Sequence, residues 1–347
     1  MSFQVITGDA LTNLRGMADE SVDCCVTSPP YWGLRDYGHA GQMGLEPTPA
    51  SYVQGMVEVF REVRRVLVSQ GTLWLNLGDS YVGAACGIKS GGVSRSSHLN
   101  GAGSQRYAET LEAGHGQARD KTGFGLAPKN LIGIPWRVAF ALQDDGWYLR
   151  SDIIWSKPNP MPESVTDRCT KAHEYLFLMT KAEHYFFDHE AIQESAVRGF
   201  AGSNFNTGKT GEHQLGRASA KPRRQDSANE SYVPGANPHG GLHREGADRE
   251  PDTRNKRDVW TIPTKPFSGA HFAVMPEALV EPCIMAGCPK WGTVLDPFTG
   301  SGTVGAVALR LDRNFIGIEL NPEYAALATK RIAAVLPGPP LFRSEPA

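Results

Sequence analysis

The chain has 347 residues, of which 40% are hydrophobic and 21% charged, with a net charge of −2. That length allows one large or two small domains, and the near-neutral balance excludes a globally polybasic protein, so contact with a polyanion must come from a local patch. No run of about 18 apolar residues and no signal-like N-terminus is present, so no membrane association is expected and the protein is expected to be soluble and cytoplasmic.

In chain order, Phe3 to Thr7 reads as a strand, Gly8-Asp9 as a turn and Ala10 to Met17 as a short helix that Asp9 can cap. Val22 to Thr27 (VDCCVT) is short, apolar and β-prone, the pattern of a buried strand. Pro29 and Pro30 then stop it, since neither can donate to a sheet ladder. Between Tyr52 and Val68 the apolar positions Tyr52, Met56, Val59, Phe60, Val63, Val66 and Leu67 recur at helical spacing, with Arg61, Glu62, Arg64 and Arg65 outside the stripe. Gly71 is expected as its C-cap and Thr72 to Leu77 as the next strand.

Residues 84–127 are rich in Gly and Ser without apolar periodicity, a long insertion of the functional or flexible kind. A helix from Pro135 to about Asp144, a strand Trp147 to Trp155 and a strand Glu174 to Thr180 follow, with a proline-stiffened loop from Ser156 to Ser164 between the strands. Residues 195–257 again lack periodicity and carry eleven Lys or Arg against seven acids, a local balance of +4. A solvated linker and a segment that tracks phosphates both fit that composition. Of the six cysteines (24, 25, 86, 169, 283, 288), none shows CxxC spacing, so buried free thiols are expected rather than a disulfide or a metal site. Cys283 falls in an apolar helical pattern with Ala278, Leu279 and Ile284 and reads as core.

Two stretches carry chemistry. Ser28-Pro29-Pro30-Tyr31 stands at the C-terminal end of a strand, where open α/β sheets bind ligands. An exocyclic base amine is a poor nucleophile because its lone pair is delocalised. A serine oxygen and the Pro29 carbonyl could accept its two protons, and an extruded base needs an aromatic face such as Tyr31. The second stretch, Thr293-Val294-Leu295-Asp296, is a strand leading through Pro297-Phe298-Thr299 into Gly300-Ser301-Gly302-Thr303-Val304-Gly305. A helix through Leu311 and a strand Phe315 to Ile318 ending in Glu319 follow. This GxGxxG with a later acid suits a nucleoside cofactor, and taken alone leaves NAD and S-adenosylmethionine both open.

Together, Ser28-Pro29-Pro30-Tyr31 and Asp296-Pro297-Phe298-Thr299-Gly300-Ser301-Gly302 resemble the catalytic and cofactor motifs of S-adenosylmethionine-dependent DNA amino-methyltransferases. With the catalytic motif first and the cofactor motif last, the order is that of the family's beta class. The resemblance implies a seven-stranded, mostly parallel, Rossmann-like methyltransferase sheet, circularly permuted and carrying polar insertions, in which the strand near 177 is antiparallel. It divides the chain into a catalytic part (1–194), a target-recognition segment (195–257) and a cofactor-binding part (258–347). Ser28 and Pro29 would hold the target amine, with Pro30 shaping the turn and Tyr31 stacking on the flipped base. Asp296, Phe298, Gly300, Ser301, Gly302 and Thr303 would hold the methionine end of S-adenosylmethionine. Glu319, with Asn321 beside it, would take the ribose hydroxyls, and Asp9 would lie near the adenine. His271, in the Phe267–Met275 stretch, is expected as a further cofactor contact, and Arg223 and Arg224 as DNA contacts; no metal is expected. Serine at position 28 implies cytosine-N4 as the target, with adenine-N6 the alternative. The implied partner is double-stranded DNA, with a cognate restriction endonuclease and a homodimer kept open. Three rivals remain: an RNA- or glutamine-directed amino-methyltransferase, an NAD-dependent oxidoreductase, which leaves Ser28 to Tyr31 idle, and a non-catalytic DNA-binding module.

Overall fold

The structure, a computed structural model, describes residues 1–34, 36, 38–39, 41–83, 124–195, 253–264 and 275–336. The first strand, β1 (Phe3–Thr7), leads through Gly8 into α1 (Ala10–Arg15), which ends two residues earlier than expected. Strand β2 (Val22–Thr27) follows. From Cys24 on, its alternation distributes the two faces of the sheet, Cys24 and Val26 entering one apolar core and Cys25 the other, while Val22, before the register shift against β3, joins the core of Cys25.

Helix α2 (Pro49–Val66) starts three residues before its first periodic position. The cause is a capping box: Thr48 Oγ1 accepts from Ser51 N at 3.1 Å and Ser51 Oγ accepts from Thr48 N at 3.2 Å, with Pro49 fixed in the first turn. Its buried stripe is Tyr52, Met56, Val59, Phe60, Val63 and Val66, each worth about 1.5–3 kcal/mol of apolar burial for side chains of this size. The helix has no glycine cap. It runs directly into β3 (Leu67–Leu77), and Gly71 lies inside that strand. The pairing of β2 with β3 jumps from Val22↔Leu67 to Cys24↔Thr72, so the extra residues form a bulge. A Cβ on Gly71 would meet Leu67 Cβ and Val68 O at 3.0 Å.

Helix α3 (Ile134–Asp144), β4 (Tyr148–Ser156) and β5 (His173–Thr180) complete the first half. After the short strands β6 (Glu194–Ser195) and β7 (Thr253–Arg254) come β8 (Val259–Thr261), α4 (Glu277–Gly287), β9 (Thr293–Asp296), α5 (Thr303–Arg310), β10 (Asn314–Glu319) and α6 (Pro322–Ala333). The main sheet has the order β1-β10-β9-β2-β3-β5-β4-β8. All pairs are parallel except those of β5 with β3 and β4, so the antiparallel strand is the expected one. The sheet has eight strands rather than seven, because the Val-Trp-Thr run of β8 adds to the β4 edge, with Ile154↔Val259 and Trp155↔Trp260 in register.

Helices α1, α2 and α3 cover the face built on Leu73, Leu75 and Leu77. Helices α4, α5 and α6 cover the other, where Trp74, Val280, Cys283, Val304 and Ile332 belong to one buried apolar cluster. Burial confirms Cys283 as core and raises its thiol far above the ordinary range. Cys24, Cys25, Cys283 and Cys288 are buried free thiols, but Cys169 is exposed, because it lies on the β4–β5 loop rather than under a helix. Among the described residues no helix is long and apolar enough to cross a membrane.

Two compact units make up the chain, Met1–Gln193 with Asn255–Ala347, and Glu194–Arg254. Within the second unit, β6 pairs antiparallel with β7 and Arg254 Nε donates to Glu194 Oε1 at 2.9 Å. Residues 84–123, 196–252 and 265–274, and with them Cys86, Arg223, Arg224 and His271, lie outside the described residues.

Candidate active site

The sheet changes direction between β9 and β2. From β9 the chain crosses through α5 to β10 on one side, and from β2 through α2 to β3 on the other. A crevice at the C-terminal ends of those two strands is the ligand position of an open α/β sheet. Ser28 follows β2 and Asp296 ends β9. The two strand ends are joined by a buried hydrogen bond, in which Thr27 Oγ1, just before Ser28, donates to Asp296 Oδ1 at 2.7 Å. The two sequence motifs, some 270 residues apart, thus meet at one site.

On the β9 side, glycine conformations shape the loop. Gly300 and Gly302 sit at φ +53° and +80°, in the left-handed region that disfavours side chains. A Cβ on Gly302 would also lie 2.9 Å from Ala328 Cα, so the loop rests directly on α6. Asp296 accepts from the Phe298 N–H at 3.0 Å, and burial pushes its carboxyl up to about 7 despite these donors. Glu319 ends β10 and is raised as well, first by burial. Its two oxygens accept the N–H groups of Gly300 at 2.8 Å and Asn321 at 2.9 Å, so it pins the glycine loop while each oxygen keeps a further lone pair.

Asn321 caps α6, accepting from Glu323 N at 2.8 Å. Ser301 and Thr303 turn their hydroxyls toward α6, where Arg331 Nη1 donates to them at 3.2 and 2.9 Å. What they can offer a ligand is backbone N–H. Asp9 caps α1, accepting from Thr12 N at 2.8 Å and Thr12 Oγ1 at 2.6 Å. The pairing Thr7↔Glu319 and the bond from Gly8 N to Glu319 O at 2.9 Å bring the Asp9 turn alongside Glu319.

On the β2 side, the turn is fixed from below. Tyr52 OH donates to the Pro30 carbonyl at 2.9 Å, and Gly33 N to Gly44 O at 2.7 Å. The Tyr31 ring lies against the Gly78 backbone, where a Cβ would come within 2.5 Å of Cε2. Its hydroxyl reaches Glu174 Oε2 at 2.8 Å and Asn76 Oδ1 at 3.0 Å, and Ser28 Oγ donates to it at 3.4 Å. Lys157 pairs with the other Glu174 oxygen and lies 4.1 Å from the Trp155 ring centroid. Burial, then the Glu174 charge, raise the Tyr31 phenol well above its ordinary range.

Asn76, Gly78, Lys157 and Glu174 surround Tyr31 in the candidate site, and no sequence motif points to them. In the sequence Lys157 falls in the expected proline-stiffened loop and Glu174 at the start of an expected strand; the sheet order brings Glu174 to Tyr31, 143 residues away, and Lys157 to Glu174.

A carboxylate-lined glycine loop beside a polar acceptor at a sheet switch point defines an α/β enzyme built to hold a nucleoside-type cofactor next to a second substrate. The chain belongs to the N6/N4 methyltransferase family described as DNA methylase, whose model matches residues 22–330. It is 42% identical over 334 residues to the type II methyltransferase M.SmaI of Serratia marcescens, covering 95% of this chain and 91% of that one. It is 44% identical over 326 residues to M.Cfr9I of Citrobacter freundii, covering 94% and 86%. Among solved structures it is similar to the PvuII DNA methyltransferase (cytosine-N4-specific), with a TM-score of 0.57 at 18% identity over 95% and 86% of the chains. It is also similar to TTHA0409 of Thermus thermophilus complexed with S-adenosyl-L-methionine, with a TM-score of 0.52 at 20% identity over 97% of both chains. These likenesses agree with the observed fold, and the family makes the protein a DNA amino-methyltransferase.

Proposed function

We propose that the protein transfers a methyl group from S-adenosylmethionine to the N4 amine of cytosine in duplex DNA, as the modification half of a restriction–modification pair. A cognate endonuclease sharing its target sequence is the partner this reading implies. The observation that carries it is Ser28. Its hydroxyl proton points toward Tyr31 OH, so its lone pairs are left for an incoming amine at the switch point next to Asp296.

The residues present fit the cofactor. Asp296 offers a buried carboxylate for the cationic methionine end, Glu319 a carboxylate with spare lone pairs for ribose hydroxyls, and Gly300 and Gly302 allow the left-handed turn that closes the loop beside them. When bound, the cofactor supplies an electrophilic sulfonium methyl. The chain's own part is positioning. Ser28 Oγ and the Pro29 carbonyl accept the two amine protons, which favours the pyramidal nitrogen with its lone pair directed at the methyl. The Tyr52 bond to Pro30 and the Gly78 contact hold that turn rigid.

Relatives at 42–44% identity are type II methyltransferases, and the structural neighbour named above is cytosine-N4-specific by its own name. Arg223 and Arg224 as phosphate contacts and His271 as a cofactor contact belong to the same reading on sequence grounds. The test is transfer of a tritiated methyl group to duplex DNA, RNA or protein in parallel. Label confined to duplex DNA is expected; label in RNA or protein instead would refute the substrate assignment.

A further inference from the structure

We propose that Glu174 is the terminal proton acceptor of the methyl-transfer step, reached from the target amine through Ser28 and Tyr31, with Lys157 as the residue that positions it. The inference rests on the reading of Ser28 as the amine acceptor and adds where the proton goes.

The geometry is a continuous chain. Ser28 Oγ lies 3.4 Å from Tyr31 OH, and Tyr31 OH 2.8 Å from Glu174 Oε2. A phenol has one proton to give. Between a carboxylate at 2.8 Å and the Asn76 amide oxygen at 3.0 Å, the charged acceptor forms the stronger bond. The Tyr31 oxygen then accepts, and the only donor among its described partners is the Ser28 hydroxyl. Hydrogen bonds along such a chain polarise one another in one direction, here from Ser28 toward Glu174. Asn76 cannot supply that donor in place of Ser28, because its Nδ2 donates to Tyr175 O at 3.0 Å and it is Oδ1 that faces Tyr31. Both members of the Lys157–Glu174 pair are under one-fifth exposed, and removing one partner of such a pair leaves an uncompensated charge. A structural salt bridge needs no tyrosine relay to the catalytic serine, yet this one has it.

The step balances. The amine nitrogen forms a bond to the methyl carbon as the carbon–sulfur bond breaks, and the nitrogen becomes cationic. Its surplus proton passes to Ser28 Oγ as the serine proton passes to Tyr31 and the Tyr31 proton to the Glu174 carboxylate. The products are the neutral methylated amine, the neutral thioether and a protonated Glu174, which later loses the proton to water. Burial holds the Tyr31 phenol far from ionisation, so the tyrosine acts by exchanging one proton for another rather than as a free phenolate.

The experiment measures single-turnover methyl transfer with saturating duplex DNA and cofactor in Glu174→Gln, Tyr31→Phe, the double variant and Glu174→Asp. Calorimetric affinities for S-adenosylmethionine and DNA are taken alongside. Glutamine and phenylalanine preserve shape, so both affinities are expected within about two-fold of the parent. The transfer rate should fall by about 10²-fold in each single variant, the range of a lost general base. The double variant should be no slower than the slower single, since both cut one chain. Glu174→Asp, which keeps a carboxylate, should recover part of the rate. Glu174→Gln turning over at the parental rate, or a double variant slower by the product of both effects, would overturn the relay. If the parent itself yields no N4-methylcytosine, the reading of Ser28 fails instead, and the relay with it. Should Glu174→Gln fail to fold, the Tyr31→Phe rate decides, because loss of the hydroxyl must slow transfer if protons pass through it.

Discussion

Asp296→Asn tests the electrostatics of the cofactor side. In the folded protein the acid keeps its proton up to about pH 7, whereas in the unfolded chain it loses it near about 4. Between those values the native state binds more protons than the unfolded one, so stability falls as pH rises. A difference of roughly three pKa units corresponds to at most about 4 kcal/mol at the upper end of that window. Asparagine keeps an acceptor for Thr27 Oγ1 and the Phe298 N–H but cannot ionise. The variant is therefore expected to lack this pH slope and to be more stable than the parent at pH 8, by about 1–3 kcal/mol after the cost of burying an amide N–H₂. The cationic end of the cofactor needs the anion, so the parent's affinity should rise with pH up to about 7 and then level, while Asp296→Asn binds weakly throughout. Thermal unfolding from pH 4 to 8 and titration calorimetry over the same range measure both. A variant less stable than the parent at pH 8, or a parental affinity flat across that range, would refute the assignment of Asp296 as a carboxyl held up by burial.

Glu319→Gln should weaken S-adenosylmethionine binding by about 1.5–3 kcal/mol, as for a lost charge-assisted hydrogen bond; unchanged calorimetric affinity would remove Glu319 from the site. Gly78→Ala should slow transfer without weakening cofactor binding, because the new Cβ at 2.5 Å from Tyr31 Cε2 must displace the ring and its hydroxyl from Glu174; single-turnover assays and calorimetry beside the parent read both. Neutralising Arg223 and Arg224 together should flatten the salt dependence of DNA binding by about 0.9 in log–log slope per lost phosphate contact; an unchanged slope makes residues 195–257 a linker.

Much of this fold was legible because single residues gave strong local signals. Pro29 and Pro30 ended β2 where expected, and the stripe from Tyr52 to Val66 fixed α2 and the face it buries. The start of α2 precedes its first periodic apolar position, because the capping signal carried by Thr48, Pro49 and Ser51 lies outside the hydrophobic stripe. Gly71 misled because a glycine after a helix serves equally as a cap or as the close-packed residue of a bulge, and only the β2–β3 register decides. Strand β8 is three residues long, too short for periodicity to distinguish it from a loop. At the site, Ser28, Asp296 and Glu319 could be found from motifs that follow strand ends. Glu174, Lys157 and Asn76 could not, because what brings them to the candidate site is adjacency across β3, β5 and β4, which no local pattern encodes.

Nucleoside mass spectrometry of duplex DNA methylated by the purified protein tests the central assignment most directly, with Ser28→Ala run beside the parent. The parent is expected to produce N4-methylcytosine and no N6-methyladenine, and Ser28→Ala to bind cofactor and DNA while the N4-methylcytosine signal falls by about 10²-fold or more. N6-methyladenine as the parental product, or N4-methylcytosine formed by Ser28→Ala at the parental rate, would contradict the account.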